Sequence, residues 1–142
     1  MEFVAKKFSM LKPNELYEIL KSRSEIFLLE QHIVCQDMDN IDYNATHMFL
    51  WEDNKVVAYL RVFKIAGNNL KIGRVLSIRH NEGLGRILME LSLNYIKKYF
   101  NKYNNICVDA QVQAIGFYQK FGFKIISDEF LDEEIPHKKM ML

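Results

Sequence analysis

Apolar and polar residues alternate loosely over residues 2–8, which predicts a first strand. Pro13 then suits the first turn of a helix, where its missing N–H costs nothing. Leu16, Ile19, Leu20, Ile26 and Phe27 follow at helical spacing. Arg23, between Leu20 and Phe27, falls on the same stripe, and Glu30 comes one turn after Phe27. Charges on a core-facing stripe need partners. Two readings stay open for them, a structural ion pair and a role in a functional site. Residues 31–45 are polar and irregular, with Asp37, Asp39 and Asp42. Their spacing fails as a calcium loop: Asp42 stands where glycine is required, and Met48 where the closing glutamate is required.

Residues 46–51 and 56–66 read as two strands around the turn Glu52-Asp53-Asn54-Lys55. After the turn signal Gly67-Asn68-Asn69, residues 70–78 read as a third, so an antiparallel meander is predicted. Leu84, Leu88, Leu91, Tyr95 and Tyr99 then recur at helical spacing. Ile106-Cys107-Val108 is a short apolar strand, residues 112–121 read as a helix, and Gly122 stops it. Phe123–Ile126 opens another strand, and the tail from His137 reads as a last one.

Composition narrows the class. The 142 residues suit one domain, 1–142, large enough to bury a core without disulfide or metal staples. Lys plus Arg is 19 and Asp plus Glu is 18, so no basic surface for nucleic acid is indicated. No apolar run approaches the ~20 residues of a membrane helix. Met1–Lys7 lacks the apolar stretch of a signal peptide, and Cys35 and Cys107 show neither Cys-x-x-Cys nor zinc spacing. A reduced, cytoplasmic chain without a metal site is expected.

Two segments carry chemistry. His80-Asn81-Glu82-Gly83-Leu84-Gly85 lies between a strand and a helix, a setting in which helix N-terminal amides bind phosphate. It is no Walker loop, since no Lys-Ser/Thr follows Gly85, and Leu88 spoils a Rossmann fingerprint. The second segment is Ala114-Ile115-Gly116-Phe117-Tyr118-Gln119-Lys120-Phe121-Gly122-Phe123. Alone, it reads as a helix face packing Phe117 and Phe121 with Tyr118 at the rim.

Together they resemble the GNAT superfamily of acetyl-CoA-dependent N-acetyltransferases. Gly83 and Gly85 match its Gln/Arg-x-x-Gly-x-Gly/Ala loop, with His80 in place of the usual Arg or Gln. Tyr118, Gly122 and Phe123 match its Tyr-x-x-x-Gly-Phe element. Arg23-Ser24-Glu25-Ile26-Phe27-Leu28-Leu29-Glu30-Gln31, Gln36–Asp39, His47, Ile72–Val75, Ala110-Gln111 and Glu134–His137 are similar to the ElaA-type branch.

The resemblance implies an α/β (α+β) GNAT fold. Its mixed, mostly antiparallel sheet of six to seven strands would be flanked by about four helices, with a splayed strand pair forming the acyl-CoA cleft. Backbone near Leu76, Ser77 and Ile78 would pair with the pantetheine arm and polarise the thioester carbonyl. His80, Asn81, Glu82, Gly83, Leu84, Gly85 and Arg86 would hold the pyrophosphate. Tyr118 would protonate the departing thiolate. Glu30, Glu25, Asp37, His47, Glu134 and His137 are the candidates to deprotonate the acceptor, with Glu30 named as catalytic. The implied activity is direct acetyl transfer from acetyl-CoA, as cosubstrate, to an amine of a small molecule or a protein, in a ternary complex. A homodimer is allowed. The alternatives are an acyl-CoA-binding sensor without turnover, and a longer-chain acyltransferase, since the Arg-x-Glu-x-Phe segment also resembles autoinducer synthases.

Overall fold

The central strands form where β-branched and aromatic residues cluster, and they build the meander that their spacing predicts. The computed structural model describes residues 1–142. Strands β1 (Glu2–Lys7), β2 (Thr46–Glu52), β3 (Lys55–Ile65) and β4 (Asn69–Ser77) lie side by side, each antiparallel to the next. At the β2–β3 turn, Asp53 and Asn54 both take positive φ, +53° and +60°, the hairpin geometry whose twist suits paired strands. The sheet continues through β5 (Ile106–Gln111) and β8 (Ile135–Met141) to β6 (Lys124–Ile125), and β7 (Phe130–Asp132) also pairs with β8. Only the β4–β5 junction is parallel.

The eight strands exceed the six to seven expected, because the β7–β8 hairpin starts before His137. Its turn residues Glu133 and Glu134 adopt φ of +49° and +63° without any glycine or asparagine to signal the turn. Pro136, opposite Leu131, further masks the strand.

Three α-helices are present: α1 (Pro13–Arg23), α2 (Leu84–Tyr99) and α3 (Ile115–Gln119). A π-helical stretch, Ser24–Glu30, extends α1 and stands in for a fourth. Pro13 opens α1, and Glu15 accepts the Lys12 N–H at 2.8 Å. The helices cover both faces of the sheet. Met48, Leu50, Leu60, Val62 and Ile72 pack under Leu84, Leu88, Met89 and Ile96 of α2. On the opposite face, Ile19 and Ile26 pack on Phe49, Tyr59 and Leu76. The period of two along β2 sends Met48 and Leu50 to one face and Phe49 to the other. Each such buried side chain contributes about 2 kcal/mol through loss of contact with water.

Candidate active site

Strands β4 and β5 pair at three positions only, Leu70/Ile106, Lys71/Cys107 and Ile72/Val108. Beyond Ile72 they part. A bulge lies at the point of departure: Tyr59 faces Leu76 but Arg61 faces Gly73, so β4 carries one extra residue around Arg74. Arg74 takes φ of +54°, an uncommon setting for a residue other than glycine. A bulge bends its strand and increases the local twist, which turns β4 away from β5. β5 pairs along its other edge with β8 as far as Gln111.

The register also assigns the exposed backbone. The Ile78 N–H donates to the Val57 carbonyl at 2.9 Å, so Ile78 and Val57 form a hydrogen-bonded pair. One residue earlier, Ser77 opposite Ala58 turns its N–H and C=O away from β3, to the open side. Leu76, one further back, faces β3 again and is buried. Of the three residues named from the sequence for the pantetheine arm, Ser77 therefore has its backbone toward the gap.

The loop after β4 ends at an uncapped helix. Asn81 and Gly83 take φ of +63° and +70°. Gly83 is the N-cap of α2, no side chain caps the helix, and no acid sits in its first turn. The first-turn amides are thus left for solvent or a ligand, at the positive end of the helix dipole. A Cβ on Gly83 would meet nothing within 4 Å, so the space beside the loop is open. Leu84 is buried and anchors the helix, while Gly85 lies against the Phe117 ring, 3.8 Å from an added Cβ. Glu82 lies 3.7 Å from Arg79, and Arg86 pairs along the helix with Glu90 at 3.0 Å. His80 is exposed, and its Nε2 is 2.8 Å from Glu30 Oε1.

Tyr118 stands on α3, ended by Gly122 at φ +95°. Its ring packs edge-on between Phe117 and Phe123, with centroids 5.2 and 5.7 Å away, in the cluster that holds Val108 and Ala110 of β5. The residue is only 6% exposed, more enclosed than a rim position. Its hydroxyl has no protein partner and is not among the sealed unpaired atoms, which are Arg61 Nε and Ser92 Oγ. It therefore reaches accessible space. Burial raises its pKa, so it keeps its proton and can donate.

Arg23 and Glu30 do not share a stripe. The π-turn, with Gln31 N–H bonded to the Ile26 carbonyl at 2.9 Å, rotates each residue less than an α-turn does. Arg23 is fully buried and Glu30 is exposed. Arg23 binds Asp37 Oδ2 at 2.9 Å and Asp42 Oδ1 at 2.7 Å. Arg61 binds Asp39 Oδ2 at 2.6 Å and shares Asp42 Oδ1 at 2.9 Å. Arg74 binds Asp37 Oδ1 and the Asp37 carbonyl, each at 2.9 Å. Three arginines thus meet three aspartates, and the polar segment 31–45 is fastened to the sheet and to the bulge. Burial pushes the Asp39 carboxyl up, but Arg61 outweighs it, with help from the Ile41 N–H and Arg74, and holds it at about 2.

The remaining candidates scatter. His47 is sealed in the core between the Tyr59 hydroxyl at 2.7 Å and the Asp42 carbonyl at 2.9 Å. Asp37 is engaged by two arginines. His137 Nδ1 meets the Ile135 carbonyl at 2.7 Å, and its ring stacks on Phe130. Glu25 and Glu134 are exposed, the latter in the β7–β8 turn. The sequence missed Ser77 as the one gap-facing residue of its trio, Arg74 as the bulge residue, and Asp39 and Asp42 as anchors. For Arg74 a signal existed, since an arginine after Gly73 interrupts an apolar strand.

A splayed parallel pair beside a helix whose N-terminus is free offers unpaired backbone groups to an extended, phosphate-bearing ligand. The chain belongs to the GNAT acetyltransferase family: residues 10–142 match its acetyltransferase (GNAT) domain. Within it, the chain falls in the ElaA-type branch. It is 30% identical to ElaA of Escherichia coli over 91% of this chain and 88% of that protein. The crystal structure of that ElaA superposes with a TM-score of 0.91 over 99% of both chains, at 28% identity. An acyl-CoA N-acyltransferase from Pseudomonas aeruginosa gives 0.92 at 30% identity, also over 99% of both chains. A UPF0039 protein of Schizosaccharomyces pombe is 35% identical over 100% of this chain and 97% of its own length. Acyl transfer is the class of chemistry that these relationships support.

Proposed function

We propose that this protein transfers an acetyl group from acetyl-CoA to an amine, both bound in one ternary complex. The observation that carries this reading is the parting of β4 and β5 beyond Ile72, with three fitting features on the elements around it. These are the gap-facing backbone of Ser77, the uncapped N-terminus of α2, and the unpartnered Tyr118 hydroxyl.

These residues fit the cosubstrate. The amides from Asn81 to Arg86 would take the pyrophosphate, with room made by Gly83. Ser77 and the backbone beside it would pair with the pantetheine arm and polarise the thioester carbonyl. His80 contributes at most one exposed contact there. Glu30 is the acceptor-side base in this reading, because it alone among the candidates is exposed and bonded to the cofactor loop. It takes the ammonium proton, directly or through water, and the free amine attacks the carbonyl carbon. A C–N bond forms, the C–S bond breaks, the thiolate receives the Tyr118 proton, and the attacking nitrogen releases its second proton to solvent. Solvent then restores both side chains. With a carboxylate at the mouth, a cationic acceptor is favoured.

The test is incubation with acetyl-CoA and a panel of small amines and lysine peptides, with a thiol reagent reading released CoA. Acceptor-dependent thiol release supports the enzyme. Saturable binding of acetyl-CoA without release, across the panel, replaces it with a sensor.

A further inference from the structure

We propose a second binding site, for a flat aromatic acid, in a cavity of about 750 Å³ at the end of the molecule remote from the acyl-CoA cleft. The cavity lies at the C-terminal end of α2, beside Phe100, Asn101, Lys102 and Tyr103. α2 ends at Tyr99, and the 11-residue strand β3 runs past it. Val62 of β3 and Leu70 of β4, both buried, lie at its base, and the half-buried Tyr95, Phe100 and Tyr103 form an apolar wall. α2 is roughly 24 Å long at 1.5 Å per residue, which separates this cavity from the Gly83 loop.

The charge of the lining selects the ligand. Lys7, Lys64 and Lys102 all line the cavity, and no aspartate or glutamate does. None of the three has a carboxylate partner; most lysines of the chain share that, and what sets these apart is that they gather on one cavity without an acid. In a chain of net charge +1, three cations and no acid around one cavity are a local excess. Asn44, Asn68 and Asn101 add neutral polar groups. Lysine stems lie along apolar surface while their heads reach outward, so the lining presents rings below and cations above. The complementary ligand has one or two fused rings and a carboxylate or phosphate. The volume suits a molecule of that size.

The test uses 2-naphthoate as probe and the neutral 2-naphthylmethanol as control, followed by amide chemical shifts of the labelled protein. The acid should shift amides in 62–70 and 95–103 saturably and leave 76–86 unmoved, with or without acetyl-CoA. It should bind about tenfold more tightly than the alcohol, and Lys64→Gln/Lys102→Gln should abolish that difference, as expected for the loss of charge-assisted contacts. Both lysines are exposed, so the double variant folds. Equal affinity for acid and alcohol, shifts centred elsewhere, or no saturable shift would overturn the site. These readouts need no turnover, so they stand apart from the acetyltransferase assay.

Discussion

Glu30 Oε1 lies 2.8 Å from His80 Nε2, and the next residue, Gln31, accepts a hydrogen bond from Gln111 at 3.1 Å. His80 follows β4 and Gln111 ends β5. Two consecutive residues at the end of the π-turn therefore touch both arms of the splayed pair, at the mouth of the gap.

Glu30→Gln keeps the shape of the side chain and removes its charge. Turnover with an amine acceptor at neutral pH should fall about 10²-fold, the low end for a general base. Acetyl-CoA affinity should be unchanged, and part of the loss should return at higher pH, where more of the amine is already neutral. Steady-state rates across pH check this, and an unaltered rate removes Glu30 from the mechanism.

Acetyl-CoA should raise the melting temperature of the wild type by mass action. Gly83→Val should lower the melting point itself, because φ of +70° costs a β-branched residue about 1–2 kcal/mol. It should also abolish the acetyl-CoA shift, because the side chain fills the open space beside the loop. Gly83→Asn tolerates the positive φ and separates the two effects: it should keep the melting point and still lose most of the shift. A full shift in the Asn variant would sink the loop assignment.

Tyr118→Phe preserves the ring between Phe117 and Phe123 and deletes the hydroxyl. If that hydroxyl protonates the thiolate, turnover falls about 10²-fold while acetyl-CoA affinity barely moves. A packing role alone predicts normal turnover. Kinetics and a binding isotherm on this one variant distinguish them.

The meander, the α2 stripe and the glycine loop were legible because each depends on local pattern. Leu84 and Leu88 of that stripe are buried and Tyr95 is half-buried, but Leu91 and Tyr99 are exposed, and Met89, Ser92 and Ile96 complete the buried face. The partners of Arg23 were not legible. Asp37 and Asp42 lie in a segment without periodicity, and only the folded sheet brings Arg61 and Arg74 to them. The π-turn was hidden because its composition is that of an ordinary helix, so Glu30 was placed on Arg23's stripe. The β7–β8 hairpin was hidden by a turn built from two glutamates.

Arg23→Met keeps much of the stem's volume and strands Asp37 and Asp42 with one arginine fewer. Removing one member of a buried ion network costs about 3–5 kcal/mol, and the partial exposure of Asp37 favours the low end. Urea denaturation should show a loss of about 3 kcal/mol. An unchanged midpoint would mean that Arg61 and Arg74 suffice to neutralise the three carboxylates.

Burial lowers the pKa of His47 below its ordinary 6.5, because the charged ring would lie in the core near Arg23 and Arg61. The folded protein therefore binds this proton less readily than the unfolded chain does. The resulting stability is fully present above pH 6.5 and is lost as pH falls through the lowered folded value. His47→Gln cannot take up that proton. Melting curves below pH 6.5 should fall less steeply for this variant than for wild type, and parallel slopes would contradict the assignment.

The π-turn divides the chain into two halves that differ in what they tolerate. A π-turn holds more residues than the α-turn it replaces. Deleting a single residue between Ser24 and Leu29 would return the segment to α-helical pitch and swing everything after it by about 100°. Arg23, ahead of the deletion, would keep its place on the sheet beside Tyr59. Glu30 and Gln31 would leave the two arms of the cleft together. Substitutions in this stretch leave the spacing intact; a deletion does not. In this protein, the number of residues between the core arginine and the mouth glutamate therefore matters to the cleft, alongside the one buried residue there, Ile26.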